Sequence, residues 1–412
     1  MLRSCAYQHI MRFPAFLLAL LTFPGPLAHS QKPGAIRRLD GSKITVAEAD
    51  AFARKTLAAA QVTGAELAVL NNGRLVWSAA YGQRRVDPPL AMDPDTRTWA
   101  ASITKSVFAT YVMQLAARGE IDLDKPLANQ LKKPLDAYEP YKDTASLLVK
   151  DPAWPTITPR MLLSHSSGLA NFAFIEPDKK MHLHFKPGTQ FLYSGEGINL
   201  VQLLVEEKEQ KPLDQLMQQA IFAPLGMTHT GLIYRAEFAT DVADRYDRNG
   251  KFISQTKRFP ARAAGSMATS VNDLAAFTAA LLNNKLLTPA ERAQMLRPVL
   301  PLHSLHEFPI APNEGPGTEA AQAGLAYGTG WGLLTHTRFG PAFFKEGHGD
   351  GAQNYIVCFE RSKSCMILLT NSDNGELAFR PLLETILGDT VTPWEWEGYT
   401  PAYIEASRKN GN

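Results

Sequence analysis

Apolar and polar positions along the chain change their period several times. Over residues 44–60 the apolar positions recur at helical spacing among good helix formers (AEADAFARKTLAAA), which predicts an amphipathic helix. Two apolar runs, 65–70 and 75–81, are then joined by Asn71-Asn72-Gly73. Asn-Gly between such runs predicts a β-hairpin, because both residues accept positive φ. Residues 88–94 read as a loop, and 102–118 as a long amphipathic helix stopped by Gly119. From 126 to about 247 the signals are mainly helical, with loops rich in Pro, Gly and His. A further helix is predicted over 271–282, strands over 329–335, 354–360 and 365–370, and a last helix over 377–387. The chain shows neither an internal repeat nor a low-complexity tract.

Strands near both ends predict one sheet built from N- and C-terminal segments, with the helical middle as an insertion. The expected organisation is a split α/β sheet domain over 31–125 and 259–412, and a mainly helical insertion domain over 126–258. Residues 1–30 read differently. Arg3 and Arg12 precede the apolar run FPAFLLALLTFPGPL, and Ala28-His29-Ser30 closes it with small residues where a signal peptidase reads. This order is that of a secretory signal peptide, so the protein is expected to be exported to a periplasmic or extracellular space. The run is broken by Pro14, Pro24 and Pro26 and falls short of the ~20 apolar residues of a spanning helix. No membrane span is expected after cleavage.

Composition narrows the classes. The 412 residues hold 42 Lys plus Arg and 40 Asp plus Glu. The excess of two lies in Arg3 and Arg12, so the chain beyond residue 30 is balanced, and no basic run points to nucleic acid. An apolar fraction of 45% excludes a disordered chain, and three cysteines exclude a disulfide framework. Cys358 and Cys365 flank a turn centred between Arg361 and Ser362, which sets them opposite each other. At a non-hydrogen-bonded pair their Cα atoms would lie about 4.5 Å apart, within reach of a cross-strand disulfide. Two reduced, buried thiols are the equal alternative.

The sharpest chemical signal is Ser102-Ile103-Thr104-Lys105 at a predicted helix start. Three-residue spacing puts both side chains on one helix face. A neutral lysine there can take the serine proton, and the helix N-terminus favours a developing alkoxide.

The stretch TRTWAASITKS around Ser102 resembles the nucleophile segment of the penicillin-binding-protein-like serine hydrolases. These include class C β-lactamases, D-alanyl-D-alanine carboxypeptidases and related esterases. Further segments are similar in the same order: LLSHSSGL (162–169), FKPG followed by FLYS (185–194), PLGM (224–227), GSM (265–267) and YGTGW (327–331). The resemblance implies a β-lactamase/transpeptidase-like α/β fold, an antiparallel sheet flanked by helices with an all-helical inserted domain. It implies that Ser102 is the nucleophile, Lys105 the base, and Tyr193 a proton relay whose phenol Lys105 acidifies. It places His348-Gly349-Asp350 where the family carries K-T-G or H-x-G, with the backbone N–H groups of Ser102 and Gly351 as oxyanion donors. Two departures weaken recognition of an anionic penicillin. Gly195 stands at the family's Y-x-N asparagine, with Glu196 partly filling the space, and His348-Gly349-Asp350 replaces the lysine motif.

The expectation is therefore an exported serine hydrolase acting on an ester or amide of a small molecule or peptide. It should resemble an esterase or D-peptidase more than an efficient β-lactamase. The alternative is a catalytically weak structural or binding protein on the same fold. No metal or organic cofactor is expected. His306-Glu307 lacks the second histidine of a zinc motif, GTGWG is not a dinucleotide loop, and His182-Leu183-His184 lacks a third ligand. His165 is expected to hold a loop.

Overall fold

The Asn72-Gly73 turn forms as its residue types require. A computed structural model of the chain describes residues 34–309, 311–400 and 402, so the segment read as a signal peptide lies outside the described residues. Asn72 and Gly73 take φ of 51° and 68° and join β1 (Gly64–Asn71) to β2 (Arg74–Arg85). The short β3 (Leu90–Ala91) follows. Six more strands come from the C-terminal part: β4 (Leu300–Pro301), β5 (Leu325–Tyr327), β6 (Gly332–Leu334), β7 (Ala342–Gly349), β8 (Ala352–Phe359) and β9 (Ser364–Thr370). The nine strands run in the order β4-β5-β6-β7-β8-β9-β1-β2-β3, each pair antiparallel. N- and C-terminal segments meet at β9 and β1, with Cys365 opposite Leu70 and Thr370 opposite Ala65.

The sheet is covered on both faces, which is why β1 is buried at every position instead of alternating. Leu67 and Val69 pack towards α1 (Val46–Ala59) and α5 (Glu376–Leu382). Ala68 and Leu70 pack towards α2 (Ile103–Ala117) and α4 (Val271–Leu282). Helix α1 opens with a Thr45/Glu48 capping box, which satisfies N–H groups that a helix start leaves unpaired. Helix α2 is buried nearly all round instead of amphipathic, because it is sealed between sheet and neighbours. Residues 126–258 carry α3 (Gly195–Glu209) and many short 3₁₀ turns, but also a strand pair, Asp244–Tyr246 with Phe252–Gln255, that the pattern does not predict. Among the described residues no helix is long and apolar enough to cross a membrane.

The larger omission is β7. Its sequence AFFKEGHG puts Lys345-Glu346 after an apolar run, which reads as an exit to solvent. Both residues are fully buried instead.

Cys358 and Cys365 lie opposite each other in the β8–β9 hairpin and are bridged, with Cα atoms 4.2 Å apart. Of the two readings the sequence left open, the disulfide is the one found. The unreduced protein should therefore show no alkylatable Cys358 or Cys365 after denaturation. By the chain-entropy relation the Cys358→Ala/Cys365→Ala variant should lose roughly 2.5 kcal/mol of stability. Alkylation of both thiols without reductant would contradict the bridge.

Candidate active site

Helix α2 starts from a strained bend. Ala101, buried, takes φ of 44°, which is uncommon for a residue with a Cβ. Ser102 then forms the helix boundary, and its hydroxyl makes no cap to the helix. The Oγ accepts a hydrogen bond from Lys105 Nζ at 2.8 Å. Lys105 Nζ also donates to the Ala264 carbonyl. Burial, then the nearby charge of Lys345, push the Lys105 pKa down to about 7 against the opposing pull of the Glu346 carboxylate. An amine with that basicity is neutral for much of the time at pH 7 and can accept a serine proton.

Tyr193 arrives from the segment before α3, braced by His165. The His165 Nδ1 accepts the Ser194 N–H at 3.1 Å, and its carbonyl accepts the Leu192 N–H at 2.9 Å. The His165 ring lies 4.3 Å from the Tyr193 ring at 30°. Burial and the two nearby lysines hold the His165 pKa well below the usual value, so a neutral ring does the bracing. The Tyr193 hydroxyl donates to Glu346 Oε1 at 2.7 Å and accepts from Lys345 Nζ at 3.0 Å. Lys345 also pairs directly with Glu346.

Three expectations are corrected here. Tyr193 is not acidified: burial, and then the Glu346 carboxylate, raise its pKa well above the ordinary phenol value, so it keeps its proton at neutral pH. The lysine place beside the tyrosine is not vacated in favour of His348. Lys345, three residues earlier on β7, sits on the Tyr193 hydroxyl, and the stretch there is Lys345-Glu346-Gly347. The Gly351 N–H is not open to an oxyanion, because it donates to Asp373 Oδ1. The part of β7 against the Ser102 bend is Gly347, where an added Cβ would stand 2.3 Å from the Ala100 carbonyl oxygen.

The remaining predicted residues divide between two clefts. His348 borders both, with Nδ1 2.6 Å from Glu376 Oε1. Burial disfavours its charged form, but Glu376 outweighs this and the net shift of its pKa is upward. Gly349 packs against Trp99, where a Cβ would lie 2.4 Å from the ring. Asp350 lines the second cleft, and its carbonyl accepts from Arg245 at 2.6 Å. Glu196 lines the main cleft with Ser102 and Lys105. Its Oε2 accepts the Ala173 N–H at 3.2 Å, and burial raises its pKa. The main cleft encloses about 730 Å³, a size suited to a small-molecule or short peptide group. Phe174 and Phe259 stand at its wall, 69% and 65% exposed. Among the described residues no cluster of His, Cys, Asp and Glu has the arrangement to hold a metal ion.

Sequence reasoning missed Lys345, Glu346 and the neighbouring Glu307. The one signal for the first two is the Lys-x-Gly spacing directly after Ala342-Phe343-Phe344.

Comparison with known proteins bears on the family and the fold. The family model described as Beta-lactamase matches residues 49–387. The chain is 30% identical over 199 residues to an N-acetylmuramyl-L-alanine amidase of Bacillus subtilis (strain 168), covering 42% of this chain and 43% of that one. It is 23% identical over 196 residues to protein flp of Staphylococcus aureus (strain NCTC 8325 / PS 47), covering 44% and 37%. The match thus spans less than half the length of these relatives. Among solved structures, an octameric penicillin-binding protein homologue from Pyrococcus abyssi superposes with a TM-score of 0.66 at 22% identity over 88% of this chain and 81% of that one. The D-alanine carboxypeptidase AmpC from Burkholderia cenocepacia gives 0.65 at 16% identity over 83% and 99%.

The close approach at Gly347 is open to test. A methyl group there must displace backbone on one side or the other, so Gly347→Ala should cost about 1–3 kcal/mol in denaturant unfolding. Unchanged stability would mean that the strand and the Ser102 bend do not touch as described.

Proposed function

Because the chain belongs to the beta-lactamase family, we propose that this serine hydrolase cleaves an ester or amide through an acyl group carried on Ser102. The observation that carries this is the 2.8 Å contact between Ser102 Oγ and the buried Lys105 amine, whose pKa lies near 7. Lys105 takes the serine proton as Oγ attacks the carbonyl carbon. The Ser102 N–H, at the start of α2, faces the developing oxyanion with the helix dipole behind it. The second donor belongs on β7 beside Gly347, the stretch that touches the Ser102 bend. The proton that Lys105 took passes through the Tyr193 hydroxyl to the leaving group, which leaves the amine neutral and the phenol protonated, and water then releases the acyl group with Lys105 again as base.

The walls of the cleft favour an apolar or aromatic group on the substrate, through Phe172, Phe174 and Phe259. Lys345 does not line the cleft and is held by Glu346, so it offers little to a substrate carboxylate. Arg258 and Arg262 also line the cleft, so the preference for an ester or peptide-like amide over an anionic penicillin rests on Gly195 standing in place of the amide side chain. Relatives named as an amidase, a D-alanine carboxypeptidase and a D-stereospecific amidohydrolase support amide cleavage. We further propose export. The signal-like order of residues 1–30 supports it, as does the Cys358–Cys365 bridge, since disulfides persist in oxidising compartments.

A panel of p-nitrophenyl esters, D-amino-acid peptides and nitrocefin tests the reading. Ser102→Ala and Lys105→Met should each lower kcat/KM on the best substrate by about a thousandfold or more. Below its pKa Lys105 is an ammonium and cannot accept a proton. Wild-type kcat/KM should therefore fall on the acid side with a midpoint near 7 and level off above it. Wild-type turnover by Ser102→Ala would overturn the proposal.

A further inference from the structure

Behind Tyr193 lies a group of buried acids that the reaction as described does not use. Glu346, Glu307 and Glu397 are 0%, 1% and 3% exposed. Among the described residues, both carboxyl oxygens of Glu307, with Oε2 of Glu346 and Oε2 of Glu397, meet no N–H or O–H donor from another kind of group. Glu307 is instead in hydrogen-bond contact with each of the other two. Acceptors that face only acceptors in a buried space must share protons. Burial and mutual repulsion put those protons on Glu307 and Glu397, which leaves the negative charge on Glu346, beside Lys345. At the far end the Tyr355 hydroxyl donates to Glu397 Oε1 at 2.6 Å. The group therefore contains one fixed carboxylate, and that carboxylate accepts the Tyr193 proton at 2.7 Å.

The alternative without Glu346 is clear from the geometry. Lys105 and Lys345 place their ammonium nitrogens 5.0 and 4.8 Å from the centre of the same Tyr193 ring. With no counter-ion, the Lys345 ammonium beside that ring would disfavour a proton on Lys105 still further and weaken it as a base. We infer that Glu346 is a positioning residue that sets the strength of Lys105 as the base: its carboxylate, held on Lys345, offsets the Lys345 charge and keeps the proton on Tyr193, so that Lys105 activates Ser102. Glu307 and Glu397 support it by keeping their own protons. This inference rests on the acyl–Ser102 reading above and assigns what tunes the base within it.

The groups facing Lys105 and Tyr193 are few. They are Lys345 and Glu346 on β7, Glu307 on the loop after β4, Tyr327 on β5 and the neutral His165. Of these, Lys345 and Glu346 carry the charges. Removing each should move the acid midpoint of kcat/KM in opposite directions. Glu346→Gln removes a negative charge that favours the Lys105 ammonium, so the midpoint should fall by about one pH unit. Lys345→Met removes a positive charge that disfavours it, so the midpoint should rise by about as much. The double variant Lys345→Met/Glu346→Gln exchanges an ion pair for a neutral pair, and its midpoint should return close to the wild-type value while its plateau falls. Glu346→Asp should restore the wild-type midpoint.

The experiment is the pH profile of kcat/KM on one p-nitrophenyl ester for the full chain and these variants, with circular dichroism to check folding. Midpoints that shift in opposite directions in the single variants and cancel in the double support the inference. Reduced plateaus with an unmoved midpoint would overturn it, because a merely structural role lowers activity without retuning Lys105. If Glu346→Gln does not fold, Lys345→Met against the double variant gives the same comparison. A wild type that neither turns over the ester nor reacts with a fluorophosphonate at Ser102 would overturn the acyl–Ser102 reading itself. An active wild type with unmoved midpoints would overturn this inference alone.

Discussion

Two lysines brought together around one buried phenol set the constraint that the rest of the site answers. Lys105 and Lys345 both lie within about 5 Å of the Tyr193 ring centre and both are sealed from solvent. Two ammonium ions cannot be kept in such a space without compensation. Each lysine resolves the problem differently. Lys105 gives up part of its affinity for the proton, and in doing so becomes a base at neutral pH. Lys345 is held by the Glu346 carboxylate. The remaining carboxyls nearby, Glu307 and Glu397, stay neutral. The buried cluster thus comes down to one ion pair and one amine of intermediate basicity.

The fold exists to bring three distant segments to this point. Helix α2 delivers Ser102 and Lys105 on one face, from a bend that Ala101 holds with an unfavourable φ. The segment before α3 delivers Tyr193, fixed by its stacking on His165. Strand β7 delivers Lys345 and Glu346 between β6 and β8. Glycine makes the approach possible where a side chain would not fit. A Cβ at Gly347 would strike the Ala100 carbonyl, and one at Gly330 would lie 2.3 Å from the Ala109 Cβ on α2. Covering the sheet with helices on both faces keeps water out of the region, and low water content is what shifts Lys105.

Much of this was legible in the sequence, and the parts that were not share a cause. The β1–β2 hairpin follows from Asn72-Gly73, the Ser102–Lys105 contact from their spacing on a helix, and the register of Cys358 with Cys365 from the symmetry of their turn. These are local features set by backbone geometry. Strand β7 was missed because Lys345-Glu346 carries two charges where a buried strand is expected to be apolar. Such charges are tolerable only as a pair, and the third partner, Tyr193, lies 152 residues from Lys345 in sequence. The same long-range contact explains the misplacement of the lysine role onto His348 and the wrong sign for Tyr193. A phenol beside a lysine looks acidified until its burial, and the carboxylate that offsets the lysine, are known. Glu307 gave no local signal at all, since its neighbours come from β7 and from the C-terminal stretch containing Glu397.

In the proposed reaction a serine nucleophile, a lysine of intermediate basicity and a protonated phenol act together, and burial makes the base. The claim on which all of this depends is that Ser102 is the residue that bonds to substrate. The direct measurement is peptide mass spectrometry of the full chain after reaction with a fluorophosphonate. A single adduct on the peptide containing Ser102, absent from Ser102→Ala, is the predicted result. An unmodified Ser102, or an adduct on another residue that persists in Ser102→Ala, would contradict the account.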